Sequence, residues 1–254
     1  EHASMTPPSE FRPGRIAVVG AGPAGRIVAA FLARGGYEVT LCDVVPALLA
    51  PALDPGIQLE GAEAFRQKVT RTCPTIDDLA AYHPEVIFIT VKANALPLIA
   101  SAIESFYKEG MYVISWQNGI DTELELTRVL GRGAILRAVV NYGCGLVAPG
   151  HVRLPFHHPP HFLQELDPKS KAATVGIARA LSGCGLTTEA TQDIISMVWR
   201  KGVLNACMNP VCAVTGLTMN RAMTDPIVFQ IVNALVKECV QVARANEINL
   251  GWDF

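Results

Sequence analysis

The stretch Arg15-Ile16-Ala17-Val18-Val19-Gly20-Ala21-Gly22-Pro23-Ala24-Gly25 runs from a short apolar tetrad straight into a GxGxxG turn. A continuous apolar run of this length reads as a parallel strand covered on both faces. Pro23 to Ala33 then reads as a helix stopped by Gly35-Gly36. Strand, glycine turn and helix in this order form the dinucleotide-binding fingerprint, and each glycine has a physical task. Gly20 permits the tight turn, Gly22 lets a pyrophosphate approach the backbone, and Gly25 lets the helix pack close to the strand. Ala21 and Ala24 fill the remaining small positions. Pro23 suits a first helical turn, where its missing N–H costs nothing. The helix start then offers free N–H groups and partial positive charge to phosphates.

Outward from this motif, Val39 to Cys42 reads as a second strand, Val86 to Val91 as a third, Met111 to Ser115 as a fourth and Ala134 to Val140 as a further one. Helical stretches near 94–107 and 121–130 fit between them. Such alternation predicts a parallel sheet with right-handed crossovers. His151 to Lys169, rich in Pro and His, reads as irregular. From about Ser170 onward the pattern predicts helices only, with apolar segments at 172–181, 194–214 and 226–245. The expected fold class is α/β, a Rossmann-type parallel-sheet domain followed by an all-helical domain. The expected division is 1–14, a tag remnant with a native start at Met5 and a loose arm; 15–190, the dinucleotide-binding domain; and 191–254, the helical domain.

Asp43 ends the second strand about 20 residues past the glycines, where a carboxylate usually holds the adenosine ribose hydroxyls. A carboxylate there repels a 2′-phosphate and favours NAD over NADP. The alternative is that Asp43 merely caps the following turn.

Half of the 254 residues are apolar, 17% are charged, and the formal net charge is −2. No basic face suited to a phosphate backbone is evident, so nucleic acid is not an expected partner. Seven dispersed Cys without CxxC spacing read as reduced core thiols, which points to the cytoplasm. No signal peptide or bilayer-spanning stretch is read; Arg26, Asn205 and Asn209 cut the best candidates. His157-His158-Pro159-Pro160-His161 reads as a surface loop, with no metal expected.

In Trp199-Arg200-Lys201-Gly202-Val203-Leu204-Asn205-Ala206-Cys207-Met208-Asn209-Pro210, the residues Lys201, Asn205 and Asn209 recur every four positions. On a helix they make one polar stripe about 12 Å long. The surrounding apolar residues predict a helix buried on most sides. Buried polar groups need partners, either a bound ligand in a cleft or an interior network.

Together with Val91-Lys92-Ala93 and Gln117-Asn118-Gly119-Ile120, these motifs resemble the ketopantoate reductase family (2-dehydropantoate 2-reductases) over nearly the whole chain from Arg15. The resemblance implies reduction of 2-dehydropantoate to pantoate, a step toward pantothenate and coenzyme A, by a homodimer acting on a small 2-oxo acid, usually with NADPH. It implies Lys201 as general acid/base, Asn205 and Asn209 as substrate holders, Asn118 beside nicotinamide and substrate, and Lys92 near the cofactor. Hydride delivery to a 2-oxo acid builds negative charge on the carbonyl oxygen, and an ammonium can stabilise that charge and supply the proton. NADPH-preferring members generally carry an Arg after the second strand, whereas this chain has Asp43-Val44-Val45, so NAD and NADP both stay open. Two alternatives remain: a related 2-oxo or 3-hydroxy acid dehydrogenase, and a cofactor-binding protein without turnover. The helical domain is expected to be incomplete at Phe254, with further helices completing the substrate site.

Overall fold

A computed structural model of the chain describes residues 11–252. The stretch expected to be a tag remnant and most of the expected arm lie outside them. The described part of the arm is not loose: Phe11 packs edge-on against Tyr112 with ring centroids 5.1 Å apart.

In chain order the first compact unit contains β1 (Arg15–Val19), α1 (Pro23–Arg34), β2 (Glu38–Cys42), α2 (Pro46–Leu53), β3 (Ile57–Gly61), β4 (Phe65–Gln67), β5 (Arg71–Cys73), β6 (Val86–Ile89), α3 (Leu96–Glu104), β7 (Tyr112–Ser115), α4 (Thr122–Leu130), β8 (Ile135–Val139), β9 (Gly145–Ala148), β10 (His151–Leu154), β11 (His161–Glu165), α5 (Lys171–Gly183) and β12 (Thr188–Ala190). The main sheet runs β12-β11-β8-β7-β6-β1-β2-β5, and only the β8–β11 pair is antiparallel. The order reverses at β1, whose neighbours are β2 and β6. Open parallel sheets bind ligands beyond the carboxyl ends of their strands at such a switch point, and the glycine turn sits there.

Alternation along β1 feeds two cores. Ile16 and Val18 face α1 and α5, while Ala17 and Val19 face α3 and α4. A second sheet, β4-β3-β10-β9, lies over the far side of α1. That cover explains why α1 is buried without interruption from Gly25 to Leu32, rather than along one stripe. Phe31 meets Phe65 of β4 edge-on, and the Arg34 guanidinium lies over the same Phe65 ring.

Strands in both sheets correct the reading of 151–169 as irregular. His151–Leu154 alternates with Val152 and Leu154 buried, and His161–Glu165 pairs with β8. Four- and five-residue strands are too short to declare a period. β12 likewise breaks the expected all-helical run after Ser170.

His158 and Pro159 lie in an exposed loop as read, but the histidines at its two ends do not: His157 is half-buried and His161 opens β11. His161 is fully buried, and its Nδ1 accepts from the Asn141 amide at 2.9 Å. Its Nε2 therefore carries the proton and donates to His157 Nε2 at 3.1 Å, with the two rings stacked. Burial pushes the His157 pKa below its ordinary 6.5, with Glu63 opposing. A depressed histidine contributes stability that is complete above the unfolded value and lost as pH falls through the folded one. The melting temperature should therefore decline from about pH 6.5 downward, before carboxylates titrate near pH 4. His157→Gln should flatten that part of a calorimetric pH series; an unchanged slope would show that His157 is not its source.

The second compact unit comprises Asn118–Ile120 with residues 193–252. It contains α6 (Ile194–Thr215), α7 (Met219–Thr224) and α8 (Pro226–Ala245). Gly216, in the left-handed region at φ 70°, ends α6. Asp225 caps α8 by accepting from the Ile227 and Val228 amides at 2.9 and 3.0 Å, with Pro226 at the first helical position. Val203, Cys207, Met208, Val211, Ala222, Val232, Val240 and Ala243 form the core.

Two expectations change here. α6 is not buried on most sides: one face is covered, while Leu204 and Val214 are exposed. The sequence reading found no bilayer-length apolar segment, yet α8, 20 residues long, reaches that length and composition. Its apolar residues follow helical spacing, so α8 is amphipathic, with Lys237, Glu238 and Arg244 between them.

Candidate active site

In the first unit the glycine turn is held from three directions. The Gly20 amide donates to the Cys42 carbonyl at 2.8 Å, and the Ala21 amide donates to Asp43 Oδ2 at 2.7 Å. Just past β6, the Thr90 hydroxyl lies in donor range of the carbonyls of Val19 and Gly20, at 2.9 Å each. From below, the Trp116 indole donates to Tyr142 Oη at 2.9 Å, and that hydroxyl donates to the Ala24 carbonyl at 3.1 Å. Burial raises the Tyr142 pKa, so the phenol stays protonated as the donor.

The three glycines differ in what a side chain would meet. A Cβ on Gly25 would lie 1.9 Å from the Gly20 carbonyl oxygen, so only glycine lets α1 approach β1. Gly20 adopts φ 106°, a backbone region that favours glycine. Gly22 faces open space within 4 Å. The first i→i−4 bond of α1 runs from the Arg26 amide to the Gly22 carbonyl, so the amides of Ala24 and Gly25 precede the helix ladder. An open glycine beside first-turn amides fits a dinucleotide pyrophosphate.

Asp43 does both things considered for it in part. Oδ1 accepts from the Val45 amide at 2.9 Å, the turn-capping bond, while Oδ2 holds the Ala21 amide. Each oxygen retains a lone pair for a ribose hydroxyl. Arg26 is wholly buried behind this corner and donates through Nη2 to the Leu48 carbonyl at 2.6 Å. Burial lowers its pKa, and the Asp43 charge raises it back.

Lys92 is exposed just past β6. Gln117 Nε2 donates to the Val91 carbonyl, which ties the segment after β7 to the one carrying Lys92. Below that segment, Arg137 donates to Ser115, Thr122 and the Gln117 carbonyl, all far from it in sequence. Sequence reasoning missed Thr90, Trp116, Tyr142 and Arg137, because their partners are tens of residues away and no local pattern marks them.

In the second unit, Lys201 and Asn205 are half-buried on α6, and Asn209 is exposed one turn further on. The expected stripe is present on the helix, though not in a buried setting. Asn118 and Ile120 are exposed members of the same unit. A Cβ on Gly202 would meet Ile120 Cδ1 at 3.1 Å, so the glycine after Lys201 admits this segment to the helix.

Residues 16–162 match the family model described as "Ketopantoate reductase PanE/ApbA", and residues 193–253 match "Ketopantoate reductase PanE/ApbA C terminal". The chain is 27% identical to a 2-dehydropantoate 2-reductase of Archaeoglobus fulgidus over 96% of its own length and 77% of the relative's. It is 26% identical to one from Pyrococcus horikoshii, covering 92% of the chain and 75% of the relative. Among solved structures, a D-mandelate dehydrogenase with NADH and anilino(oxo)acetate is similar at TM-score 0.80 and 25% identity, over 93% of this chain and 75% of that one. A PanE/ApbA family ketopantoate reductase from Ralstonia eutropha shares the fold at TM-score 0.78 and 24% identity, over 92% and 76% of the two chains. The two family models together with the doubly wound sheet and helical unit establish that this chain belongs to the ketopantoate reductase family of NAD(P)-dependent oxidoreductases.

Proposed function

We propose that this protein reduces 2-dehydropantoate to pantoate, with Lys201 as the proton donor. The observation that carries the reading is the company of Lys201: Asn205 one turn on along α6, and the Asn118–Ile120 segment against Gly202. When bound, the reduced nicotinamide supplies the hydride. The chain's own groups orient and polarise. The Lys201 ammonium stabilises the negative charge that grows on the C2 oxygen and releases its proton to it. The amides of Asn205 and Asn209 hold the carboxylate and hydroxyl of the acid, and Asn118 orients its keto group toward the nicotinamide. Gly20, Ala21, Gly22, Pro23, Ala24 and Gly25 seat the pyrophosphate, and Lys92 lies near the cofactor. On this reading 15–190 is the cofactor part and 191–254 the substrate part of a cytoplasmic homodimer serving pantothenate and coenzyme A synthesis.

A second reading keeps the chemistry and changes the acid. The similarity to a D-mandelate dehydrogenase with NADH and anilino(oxo)acetate supports a bulkier 2-oxo acid as substrate. Initial rates with 2-dehydropantoate and with benzoylformate separate the two; a higher kcat/KM for benzoylformate overturns the first.

Cofactor choice follows from Asp43. Its two oxygens already accept amides and can each take a ribose hydroxyl, whereas a 2′-phosphate would meet like charge. NADH should bind about tenfold more tightly than NADPH, the scale of a 1.4 kcal/mol difference. Fluorescence titration checks this. Tighter NADPH binding would overturn it and give Lys92 the compensating charge.

A further inference from the structure

Beneath the segment that carries Asn118 lies a buried ionic network that the reaction does not itself require. Arg137 on β8 and Glu123 on α4 are 2% and 1% exposed, with Nε and Oε2 3.3 Å apart. Arg137 Nη1 reaches Ser115 Oγ at 2.8 Å, Thr122 Oγ1 at 2.7 Å and the Gln117 carbonyl at 3.0 Å. The Ser115 and Thr122 hydroxyls bond each other at 2.8 Å. One buried nitrogen thus grips the backbone immediately before Asn118 and the side chain at the start of α4, the two ends of a four-residue exposed loop. Within that loop Gly119 and Asp121 both adopt left-handed backbone, at φ 117° and 61°. Asp is one of the few residues besides Gly that take up this conformation singly, so the loop's turn is compatible with its sequence.

For stability alone, a well-packed apolar pair would usually serve as well as a buried ion pair. Here the guanidinium places several directed bonds at the root of one loop, as no apolar side chain could. We propose that Arg137 is a positioning residue for catalysis: by fixing both ends of residues 118–121, it sets where Asn118 stands. The inference rests on the reading of Asn118 as a group beside nicotinamide and substrate. A displacement of about 1 Å in such a group costs on the order of 100-fold in rate.

The test separates stability from positioning. Arg137→Met alone strands the Glu123 carboxylate and should lower the melting temperature sharply. Combining it with Glu123→Leu replaces the ion pair by apolar side chains and should recover most of that loss. In the full chain the double variant should still show kcat about 100-fold down, with the NADH Kd within about threefold of the parent. Recovery of kcat along with melting temperature would reduce Arg137 to a structural part and overturn the proposal. Should the double variant fail to fold, Thr122→Val decides, since it removes one acceptor while keeping the side-chain shape. It should lower kcat about tenfold with little change in melting temperature, and an unchanged kcat would overturn the proposal. Asn118→Ala, assayed alongside, keeps the two claims apart. Full activity there sinks the reading of Asn118, whereas an inactive Asn118→Ala beside an active double variant sinks only the role of Arg137.

Discussion

Lys201→Ala is expected to lower turnover by about two to four orders of magnitude, the usual scale for removing a general acid. Affinity for NADH should hardly change, because the fingerprint and Asp43 belong to the first unit and Lys201 to α6. The physical cause is the charge on the oxygen at C2. As hydride arrives, that oxygen becomes an alkoxide, and without an ammonium beside it the barrier includes the cost of an unpaired anion. Lys201→Arg should not rescue the rate fully. A guanidinium can pair with the anion but holds its proton too tightly to release it, so charge stabilisation returns without acid catalysis. Steady-state kinetics on both variants check this, and near-normal turnover in Lys201→Ala would remove the residue from the mechanism.

The second large effect is expected at the glycine turn, where two substitutions of similar chemistry should behave differently. In Gly25→Val the Cβ would fall 1.9 Å from the Gly20 carbonyl oxygen and 2.5 Å from Thr90 Oγ1. Backbone cannot yield by that much, so α1 must move away from β1. Overpacking in a well-packed core costs about 1–3 kcal/mol, and the displaced helix start would no longer present its amides. Gly25→Val should lose measurable NADH binding and melt at a lower temperature. In Gly22→Ala the added methyl meets nothing within 4 Å, so the melting temperature should hold. NADH affinity should nevertheless fall about tenfold or more, because the methyl occupies the approach of the pyrophosphate. Undiminished NADH affinity in Gly22→Ala would show that the cofactor does not approach there.

The fingerprint could be read from sequence because its logic is local. An apolar strand, three spaced glycines, a helix and a following Asp43 all fall within about 30 residues, the span of one βα unit with its next strand. The parallel sheet was legible for the same reason, since residues 86–89 and 111–114 are continuous apolar runs. What stayed hidden depends on distance along the chain. The second sheet joins Ile57–Gly61 to His151–Leu154, nearly a hundred residues apart, and its four- and five-residue strands carry no period of their own. The stacked histidines at 157 and 161 read as loop residues because the rings that pack on them, Trp116 and Tyr142 on His161 and Tyr142 on His157, are far away in sequence. The Arg137 network draws on residues 115, 117, 122 and 123, and nothing at Arg137 itself signals a task. For α6 the residue types were read correctly and their setting was not. A stripe of Lys201, Asn205 and Asn209 among apolar neighbours suggested burial, but α7 and α8 cover one face of the helix only.

The most direct test of hydride transfer to a 2-oxo acid, with Lys201 as its acid, uses NADH deuterated at both C4 positions and 2-dehydropantoate with the full chain. The account predicts pantoate carrying one deuterium at C2 by mass spectrometry, formed at a catalytic rate that falls by about two orders of magnitude or more in Lys201→Ala. Pantoate without deuterium at C2, or no nicotinamide oxidation with this or any other 2-oxo acid, would contradict it.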